Sequence, residues 1–455
     1  MSDIEGLLTK ASDLVWGPPL LILLFGTHLF LTYRLRFIQR YIPQAIKLSF
    51  SREKEGEGDV SQFGALTTAL AATIGTGNIV GVATAVAAGG PGAVLWMWLT
   101  GVFGIATKYA EAVLSVKYRV KMPNGMMAGG PMYALERGLG SKPLGMLFAA
   151  LTAIAAFGIG NMTQANSISA LAQQTLGVSP WATGLVMTVL TAIVILGGIQ
   201  SIAGVCEKLV PFMAAFYVLG CVILIAMHFE RLGDTFSTII GGAFNGQAAM
   251  GGFLGAGVRE AMRFGIARGL FSNESGLGSA PIVAAAAQTK NPVRQALVSS
   301  TGTFWDTVVV CALTGIVVVQ SGGWTQGLSG SALTKMAFED LPTVGPIVLT
   351  VGLLTFVFST ILGWAYYGEK AAEYLFGPAI TVPYRWLWVM AVMVGSVSTL
   401  QAVWTFSDVA NGLMAVPNLI SLLALNGVIV AETREYLWSG NLDKSASRGA
   451  EPSPR

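Results

Sequence analysis

The sequence is poor in charge, cysteine and histidine. Charged residues make up only 11% of its 455 residues, whereas soluble domains carry about 25%. The three cysteines, Cys206, Cys221 and Cys311, each lie in an apolar run, which favours small buried side chains and excludes a thiolate metal site. Two isolated histidines, His28 and His228, are too few for a histidine metal site or a proton relay. A soluble chain this short of charge has too little polar surface to face water, so we expect lipid to cover it.

Long apolar stretches fill the rest of the chain. Hydrophobic residues make up 53% of it and the mean hydropathy is +0.64. An apolar run of about 20 residues is long enough to cross a bilayer as a helix. We therefore predict an all-α polytopic membrane protein with about eleven transmembrane helices, at 15–35, 62–88, 91–117, 143–172, 180–200, 205–228, 250–286, 295–319, 345–372, 384–402 and 409–431.

The distribution of lysine and arginine supports this prediction and orients it. If the N-terminus is outside, the loops predicted to be cytoplasmic hold 20 of these residues and the opposite side holds three. Cytoplasmic loops carry the excess of basic residues in membrane proteins. We expect a multi-pass protein of the plasma (inner) membrane with its N-terminus outside and its C-terminus cytoplasmic. Segment 36–50 mixes basic and large apolar residues and is predicted to lie on the cytoplasmic surface.

Two of the predicted spans are interrupted by polar and glycine residues. The second contains Gly75, Thr76, Gly77 and Asn78, and the seventh contains the run 272–276, Ser-Asn-Glu-Ser-Gly. Close helix packing is the alternative explanation for the first interruption, but it does not explain three polar residues in a row at bilayer depth. Non-helical backbone inside a bilayer is tolerated where it lines a cavity or is buried in protein. We therefore predict two broken helices.

The spacing of the broken helices predicts an inverted repeat. Without the first span they are the first and sixth of ten, which places them at the same position in two five-helix halves of opposite orientation. Many secondary transporters have this plan and bind their solutes at the midplane between two broken helices. Freed N–H groups at a half-helix start suit a carboxylate, and freed carbonyls at a half-helix end suit a hard cation.

Other classes of protein fit the sequence less well. It contains no GxSxG, HExxH or Walker A motif, and the glycines of 75–81 lack the strand–helix context of a dinucleotide-binding loop, so we predict that it is not an enzyme. Channels are usually rings of subunits around a shared pore, whereas this chain carries its own repeat.

Eight stretches of the sequence are similar to the alanine or glycine:cation symporter family, of the amino acid–polyamine–organocation superfamily. They are ATIGTGNIVGVATA (72–85), GGPGAVLWMW (89–98), ATKYAEAVL (106–114), AGGPMY (128–133), FGIGNMTQANS (157–167), RGLFSNESGLGSAPI (268–282), QALVSSTGTFWDTVVVC (295–311) and STILGWAYYGEK (359–370). The resemblance implies a leucine-transporter-like five-plus-five core preceded by one extra helix. It also implies sodium-coupled uptake of small neutral amino acids such as alanine and glycine by alternating access, with Na⁺ as the coupling ion.

The interrupted spans and the resemblance together give the candidate site residues. For substrate binding they are Thr76, Gly77, Asn78, Asn161, Gln164, Phe271, Ser272, Asn273, Gly276 and Trp364. Gln164 is expected to contact the substrate and Trp364 to limit its size, although an interhelical hydrogen bond and simple packing are their respective alternatives. The resemblance implies a sodium site made by Ser359 and Thr360 hydroxyls with carbonyls near Thr73 and Ile74.

Several intramembrane charges have open roles. Glu274 could touch the substrate ammonium, accept backbone N–H groups or pair with Arg268. Asp306 could bind a cation, form part of a gate, or hydrogen-bond a neighbouring helix. Lys108 and Glu111 are three residues apart and predict a local ion pair.

The predicted regions are 1–60 (first helix and linker), 61–230 and 231–432 (the two repeats) and 433–455 (a cytoplasmic tail). The expected partners are a small neutral amino acid and the lipid bilayer, with no nucleic acid and no obligate protein partner. A proton-coupled carrier of another small amino acid with the same fold is the alternative function.

Overall fold

The structure is a computed structural model that describes residues 2–51, 56–244, 257–328, 330–339, 344–398 and 401–445. The beginning of the predicted seventh span, the middle of the polar linker at 52–55 and the tail beyond 445 lie outside these residues.

The described chain is almost entirely helical. The α-helices are α1 Ser2–Val15, α2 Pro18–Arg34, α3 Ile42–Ser49, α4 Gln62–Thr73, α5 Val82–Gly89, α6 Ala93–Lys117, α7 Pro131–Tyr133, α8 Lys142–Ala155, α9 Thr163–Leu176, α10 Pro180–Ile195, α11 Gly198–Met227, α12 Leu232–Phe244, α13 Val258–Asn273, α14 Pro281–Ala284, α15 Pro292–Thr303, α16 Ala312–Gln320, α17 Gly330–Glu339, α18 Val344–Phe376, α19 Thr381–Val397, α20 Gln401–Ala424 and α21 Asn426–Thr433. Short 3₁₀ turns occupy Ile38–Tyr41, Phe229–Arg231, Gly323–Gln326 and Pro378–Ile380.

Five π-helical segments adjoin α-helices within the described residues. They are Gly77–Gly81, Ala134–Gly138, Ala156–Met162, Phe304–Cys311 and Arg434–Trp438. Two strands, β1 Val120–Lys121 and β2 Met127–Ala128, form an antiparallel pair in which Val120 faces Ala128.

Within the described residues, five continuous helices are long and apolar enough to cross a membrane. They are Lys142–Gln173, Gly198–Met227, Pro292–Gln320, Val344–Phe376 and Pro378–Val397, and they correspond to the predicted spans at 143–172, 205–228, 295–319, 345–372 and 384–402. Three bent pairs pass the same criterion: Pro18–Arg34 with Ile38–Ser49, bent by 66°, Gln62–Thr73 with Gly77–Gly89, bent by 54°, and Asp408–Ala424 with Asn426–Trp438, bent by 58°. The total of eleven spans and their repeat arrangement remain predictions.

Both predicted interruptions are breaks in the structure. α4 ends at Thr73 and helix resumes at Gly77, so residues 74–76 form what we call the first break. α13 ends at Asn273 and α14 begins at Pro281, so residues 274–280 form the second break. Glycine and small polar residues are poor helix formers, and Pro281 suits the first position of a helix because it has no N–H to leave unpaired.

Two details of the predicted topology are wrong. The connection predicted between the spans 180–200 and 205–228 is helical, because α11 begins at Gly198 and continues to Met227. The helices α12 and α17 were also missed. Hydropathy reports the part of a helix that suits lipid, so it misses polar extensions and short helices packed on the end of a bundle.

Large apolar side chains cover the outside of the bundle. α10 and α19 pack against each other and expose Trp181, Leu185, Ile193, Trp386, Leu387 and Met390. A soluble monomer rarely exposes apolar surface on this scale, so these faces suit lipid. The interior is closely packed, and Trp364 and Trp388 are its largest fully buried side chains.

Candidate functional site

The first break exposes backbone groups in the middle of the bundle. Ile74 has an extended conformation, with φ −77° and ψ 94°, which turns its carbonyl away from the helix axis. The Gly75 N–H donates to Asn78 Oδ1 at 2.8 Å, so the predicted ligand Asn78 uses its amide oxygen to hold the break. The next helical segment begins at Gly77, and the first N–H groups of a helix have no intrahelical acceptor. The N–H groups at the start of this segment therefore need an acceptor from outside the helix.

Two hydroxyl groups of α18 meet the carbonyl end of α4. Ser359 Oγ lies 3.3 Å from Ala71 O and Thr360 Oγ1 lies 3.3 Å from Ile74 O. Three of the four residues predicted for the sodium site are thus together, and Ala71 is an addition. The predicted carbonyl of Thr73 has no recorded contact with these hydroxyls, and the residue lines a separate small cavity. Four oxygens at the end of a half-helix form an environment that suits a hard cation.

Gln164 brings an unpaired acceptor to the same break. A Cβ placed on Gly75 would lie 2.6 Å from Thr360 Oγ1 and 3.7 Å from Gln164 Oε1. Gln164 Nε2 donates to Ile159 O at 3.0 Å, whereas its Oε1 is buried and has no hydrogen-bond partner in the described part of the chain. A buried acceptor without a donor is costly, and a substrate ammonium would satisfy it.

Phe271 and Ser272 of α13 border the first break, and Trp364 packs on Gly160. A Cβ on Gly77 would lie 3.4 Å from Phe271 Cδ1 and 3.5 Å from Ser272 Cα, so α13 closes one side. Trp364 is 1% exposed and packs so tightly on Gly160 that a Cβ there would meet the Trp364 side chain. Asn161 points elsewhere, because its Nδ2 donates to Trp388 O at 2.8 Å. Its contact in the structure is thus the interhelical hydrogen bond, while Asn161 Oδ1 has no hydrogen-bond partner within the described residues.

Asp306 joins the two broken helices. Its carboxylate accepts hydrogen bonds from Asn78 Nδ2 at 2.6 Å and from Ser272 Oγ at 3.1 Å. Its neighbour Thr307 donates a third at 2.6 Å. Asp306 lies in the π-helical segment Phe304–Cys311, as Asn161 lies in Ala156–Met162. Single π turns within α-helices often mark functional sites, and here they surround the first break.

A carboxylate from α6 fills the second break. Glu111 Oε1 accepts the backbone N–H groups of Gly276 at 3.0 Å and Gly278 at 3.1 Å, and also Asn418 Nδ2 at 2.7 Å. Asn418 Nδ2 contacts Gly276 O at 2.9 Å as well. The freed backbone groups of this break are therefore largely satisfied by the protein itself.

The remaining polar side chains of the second break also bond locally. Asn273 Oδ1 accepts from Ser275 N at 2.9 Å, and Glu274 Oε2 accepts from Ser279 Oγ at 2.5 Å. Glu274 adopts a left-handed conformation with φ 55°, which is uncommon for a side chain of this size and marks a constrained turn.

Two proposed ion pairs are not formed. Glu111 contacts the second break instead of Lys108, whose Nζ has no hydrogen-bond partner within the described residues. Arg268 does not pair with Glu274. Its guanidinium lies over the Phe271 ring, 5.7 Å from the centroid, and it shares a cavity of about 120 Å³ with Asp13, Trp16 and Asp408. In both cases spacing along the chain predicted an ion pair, whereas Glu111 contacts another helix break and Arg268 lies over a ring of its own helix.

Sequence reasoning did not identify Ala71, Glu111 and Asn418 as parts of these breaks. Ala71 contributes a backbone carbonyl, which has no signature in the sequence. Glu111 was visible as an intramembrane carboxylate, and default treatment of such a residue as functional would have found it. Asn418 lies in the eleventh predicted span and was not singled out.

Comparisons with known proteins agree on one family. Residues 1–448 match the family model described as the sodium:alanine symporter family. The chain is 52% identical over 438 residues to an uncharacterized transporter of Haemophilus influenzae, covering 95% of this chain and 96% of that protein. It is 51% identical over 446 residues to the sodium/alanine symporter AgcS of Methanococcus maripaludis, covering 95% of this chain and 97% of AgcS.

A solved structure supports the fold. The crystal structure of MhsT in complex with L-phenylalanine aligns with a TM-score of 0.50 and 15% sequence identity, over 86% of this chain and 94% of that one. At this identity the likeness concerns the fold alone, which is that of the leucine-transporter-like proteins.

Proposed function

Because the chain belongs to the sodium:alanine symporter family, it is a multi-pass membrane protein that carries an amino acid together with a cation, and we propose that it takes up alanine and glycine with sodium. The proposal includes alternating access and the orientation with the N-terminus outside and the C-terminus in the cytoplasm. The observation that carries it is the first break, where two helix-end carbonyls, two hydroxyl groups and the unpaired Gln164 Oε1 lie close to the start of a half-helix.

The break offers a complementary group for each charge of the proposed cargo. The Ala71 and Ile74 carbonyls with the Ser359 and Thr360 hydroxyls supply oxygen ligands for Na⁺. The N–H groups at Thr76 and Gly77 suit a substrate carboxylate, and Gln164 Oε1 suits its ammonium.

The surrounding walls favour a small side chain. Phe271 closes one side of the break at Gly77. Trp364 is fixed by its contact with Gly160. Alanine differs from glycine by one methyl group, and one methyl is worth only about 1–3 kcal/mol in an apolar pocket. We therefore expect both to be carried.

The proposed coupling follows from the shared position of the two sites. Ile74 and Gly75 are consecutive, so the groups that bind the cation and those that bind the amino acid belong to one piece of backbone. Each ligand fixes the conformation that the other needs, and each must raise the affinity of the other by the same factor. In the proposed cycle α4 then moves to open the cytoplasmic path.

The test is uptake of radiolabelled alanine into proteoliposomes, with an inward Na⁺ gradient compared with a matched K⁺ gradient at constant pH. We expect accumulation with Na⁺ alone, and competition by glycine. Uptake driven by an imposed pH gradient without Na⁺ would favour the proton-coupled alternative, and no uptake under either gradient would refute the assigned substrate.

A matched pair of α18 variants tests the sodium site. Thr360→Val removes the hydroxyl that faces Ile74 O, whereas Thr355→Val removes one that bonds only the Val351 and Gly352 carbonyls of its own helix. We expect Thr360→Val to raise the half-saturating Na⁺ concentration at least about tenfold, or ~1.4 kcal/mol, and Thr355→Val to leave it unchanged. Equal effects of the two variants would contradict this site.

A further inference from the structure

Arg119 lies between α6 and β1 and is bound to three backbone carbonyls. Its Nη1 donates to Ala285 O at 2.9 Å and to Ala287 O at 2.8 Å, and its Nη2 donates to Glu57 O at 2.8 Å. Hydrogen bonds from an ionised donor are roughly twice as strong as neutral ones. The sodium and substrate contacts proposed above do not include Arg119, so these three bonds need a separate explanation.

The segments that Arg119 joins belong to different broken helices. Glu57 lies in residues 56–60, which lead through the helix cap into α4. Ala285 and Ala287 follow directly after α14, the half-helix beyond the second break. The guanidinium therefore connects the start of one half-helix with the end of the other.

The same two segments also pair through their backbones. Asp59 N and Val60 N donate to Ala286 O at 2.7 Å and 3.1 Å, and Gln288 N donates to Val60 O at 2.8 Å. The carbonyl of Ala286 thus binds residues 56–60, whereas its two neighbours bind Arg119. Ala286 is fully buried, so the chain is closed at this junction.

The other half of the second broken helix is less tightly covered. The cavity of about 120 Å³ beside Arg268 is lined by Ala267 and Phe271 of α13, and Ala267 is partly exposed. Ala267 precedes the second break and Ala286 follows it. The two alanines therefore report on opposite ends of one broken helix.

We propose that Arg119 is a positioning residue that holds the start of α4 against the end of α14 and so keeps this end of the bundle closed. When α4 moves away, the bond to Glu57 O and the backbone bonds to Ala286 O must break, whereas the bonds to Ala285 and Ala287 can remain. Loss of the guanidinium then shifts the equilibrium toward the state that is open at the junction and closed at the other end. This inference rests on the proposed function in so far as that function includes alternating access.

The test is the rate at which a water-soluble maleimide labels introduced cysteines in the purified protein, in detergent and without Na⁺ or amino acid. Ala286→Cys reports on the junction and Ala267→Cys on the opposite end. Each is combined with Arg119→Gln. The control is Arg34→Gln, which removes a hydrogen bond from an exposed arginine of α2 to Asn426 Oδ1. The three native cysteines are buried, and the protein without an added cysteine gives the background.

Arg119→Gln should speed the labelling of Ala286→Cys about tenfold, the change in an equilibrium expected for loss of one hydrogen bond to a charged group. It should also slow the labelling of Ala267→Cys, whereas Arg34→Gln should change neither rate. Faster labelling of Ala286→Cys without slower labelling of Ala267→Cys would indicate local loosening and overturns the proposal. Unchanged labelling of Ala286→Cys overturns it as well.

If Arg119→Gln does not fold, Arg119→Lys decides by the same two rates. Lysine keeps the charge, but its single nitrogen replaces the fork that reaches both segments, so the two rates should again change in opposite directions. Rates equal to those of the wild type overturn the proposal. Because labelling uses no substrate, absence of sodium-driven alanine uptake would refute the proposed function while leaving this result intact.

Discussion

The two breaks solve the same problem in opposite ways. In the first, the freed carbonyls of α4 meet only the hydroxyls of Ser359 and Thr360, at 3.3 Å. In the second, the freed N–H groups of Gly276 and Gly278 are bound by the carboxylate of Glu111. The first break therefore retains an unpaired acceptor, Gln164 Oε1, whereas the N–H groups of Gly276 and Gly278 in the second are bound by a permanent part of the protein.

This difference assigns a different task to each broken helix. Polar backbone at bilayer depth must be satisfied by something. Where side chains of the protein satisfy the freed backbone groups, the break is a fixed part of the fold. Where they do not, we propose that a bound solute satisfies them, and that the free energy of its binding is coupled to its movement.

The largest expected effect comes from removing the carboxylate of the second break. Glu111→Ala leaves three donors without their acceptor, from Gly276, Gly278 and Asn418. Each buried donor left unsatisfied costs about 1–3 kcal/mol, so we expect a marked loss of stability together with loss of transport. The melting temperature in detergent measures it.

The control for Glu111→Ala is Glu435→Ala, which removes an exposed carboxylate. Similar melting temperatures for the two variants would contradict the view that Glu111 is a structural part of the second break.

An intermediate effect, on binding alone, is expected at the first break. Gln164→Leu removes the unpaired Oε1 beside Gly75. A hydrogen bond to a charged group is worth about 1.5–3 kcal/mol, so alanine affinity should fall roughly 10- to 150-fold. Stabilisation by Na⁺ should persist, because the four oxygens of the proposed sodium site remain.

Thermal stabilisation by alanine at saturating Na⁺ measures this effect, with the exposed Gln173→Leu on the same helix as its control. If Gln164→Leu destabilises the protein as much as Glu111→Ala does, the distinction between an open and a filled break fails.

The smallest effect concerns the approach to the first broken helix. Burial raises the pKa of Asp59, although the carboxylate accepts the Met127 N–H at 2.9 Å. A raised pKa means that this carboxyl group favours folding most when protonated, below its ordinary pKa of about 3.9, and that the contribution is lost as pH rises through the raised value. Asp59→Asn should therefore raise the melting temperature slightly at neutral pH.

This gain should disappear as the pH falls into the ordinary aspartate range. Asp234→Asn, at an exposed carboxyl group of α12, serves as the control. A gain that is the same at every pH would exclude ionisation of Asp59 as its cause.

Local composition sufficed to locate both breaks. Gly75 to Asn78 and Ser272 to Gly276 are poor helix formers within apolar runs, and each run did form a break. The partners of the breaks were less predictable. Gln164 and Thr360 were named with the help of family resemblance, whereas Glu111 was assigned to Lys108 because they are three residues apart on one helix. Which helix supplies a partner depends on packing between distant segments of the chain. It cannot be derived from the spacing of residues along one helix.

Residues 56–60, which we call the strap, precede α4 and hold its first end against residues 285–288. Backbone hydrogen bonds join Asp59 N and Val60 N to Ala286 O, and Arg119 binds Glu57 O together with Ala285 O and Ala287 O. The approach is so close that a Cβ on Gly58 would lie 2.3 Å from Gln288 N.

The strap and the carbonyls of the proposed sodium site lie at opposite ends of the 12-residue helix α4. At 1.5 Å per residue this helix is a rod about 18 Å long. Moving its strap end by about 3 Å would tilt the rod by roughly 10°. If the proposed sodium site and orientation hold, a displacement of a few tenths of an ångström at the ion would correspond to a much larger one at the cytoplasmic end of α4, which would then act as a lever.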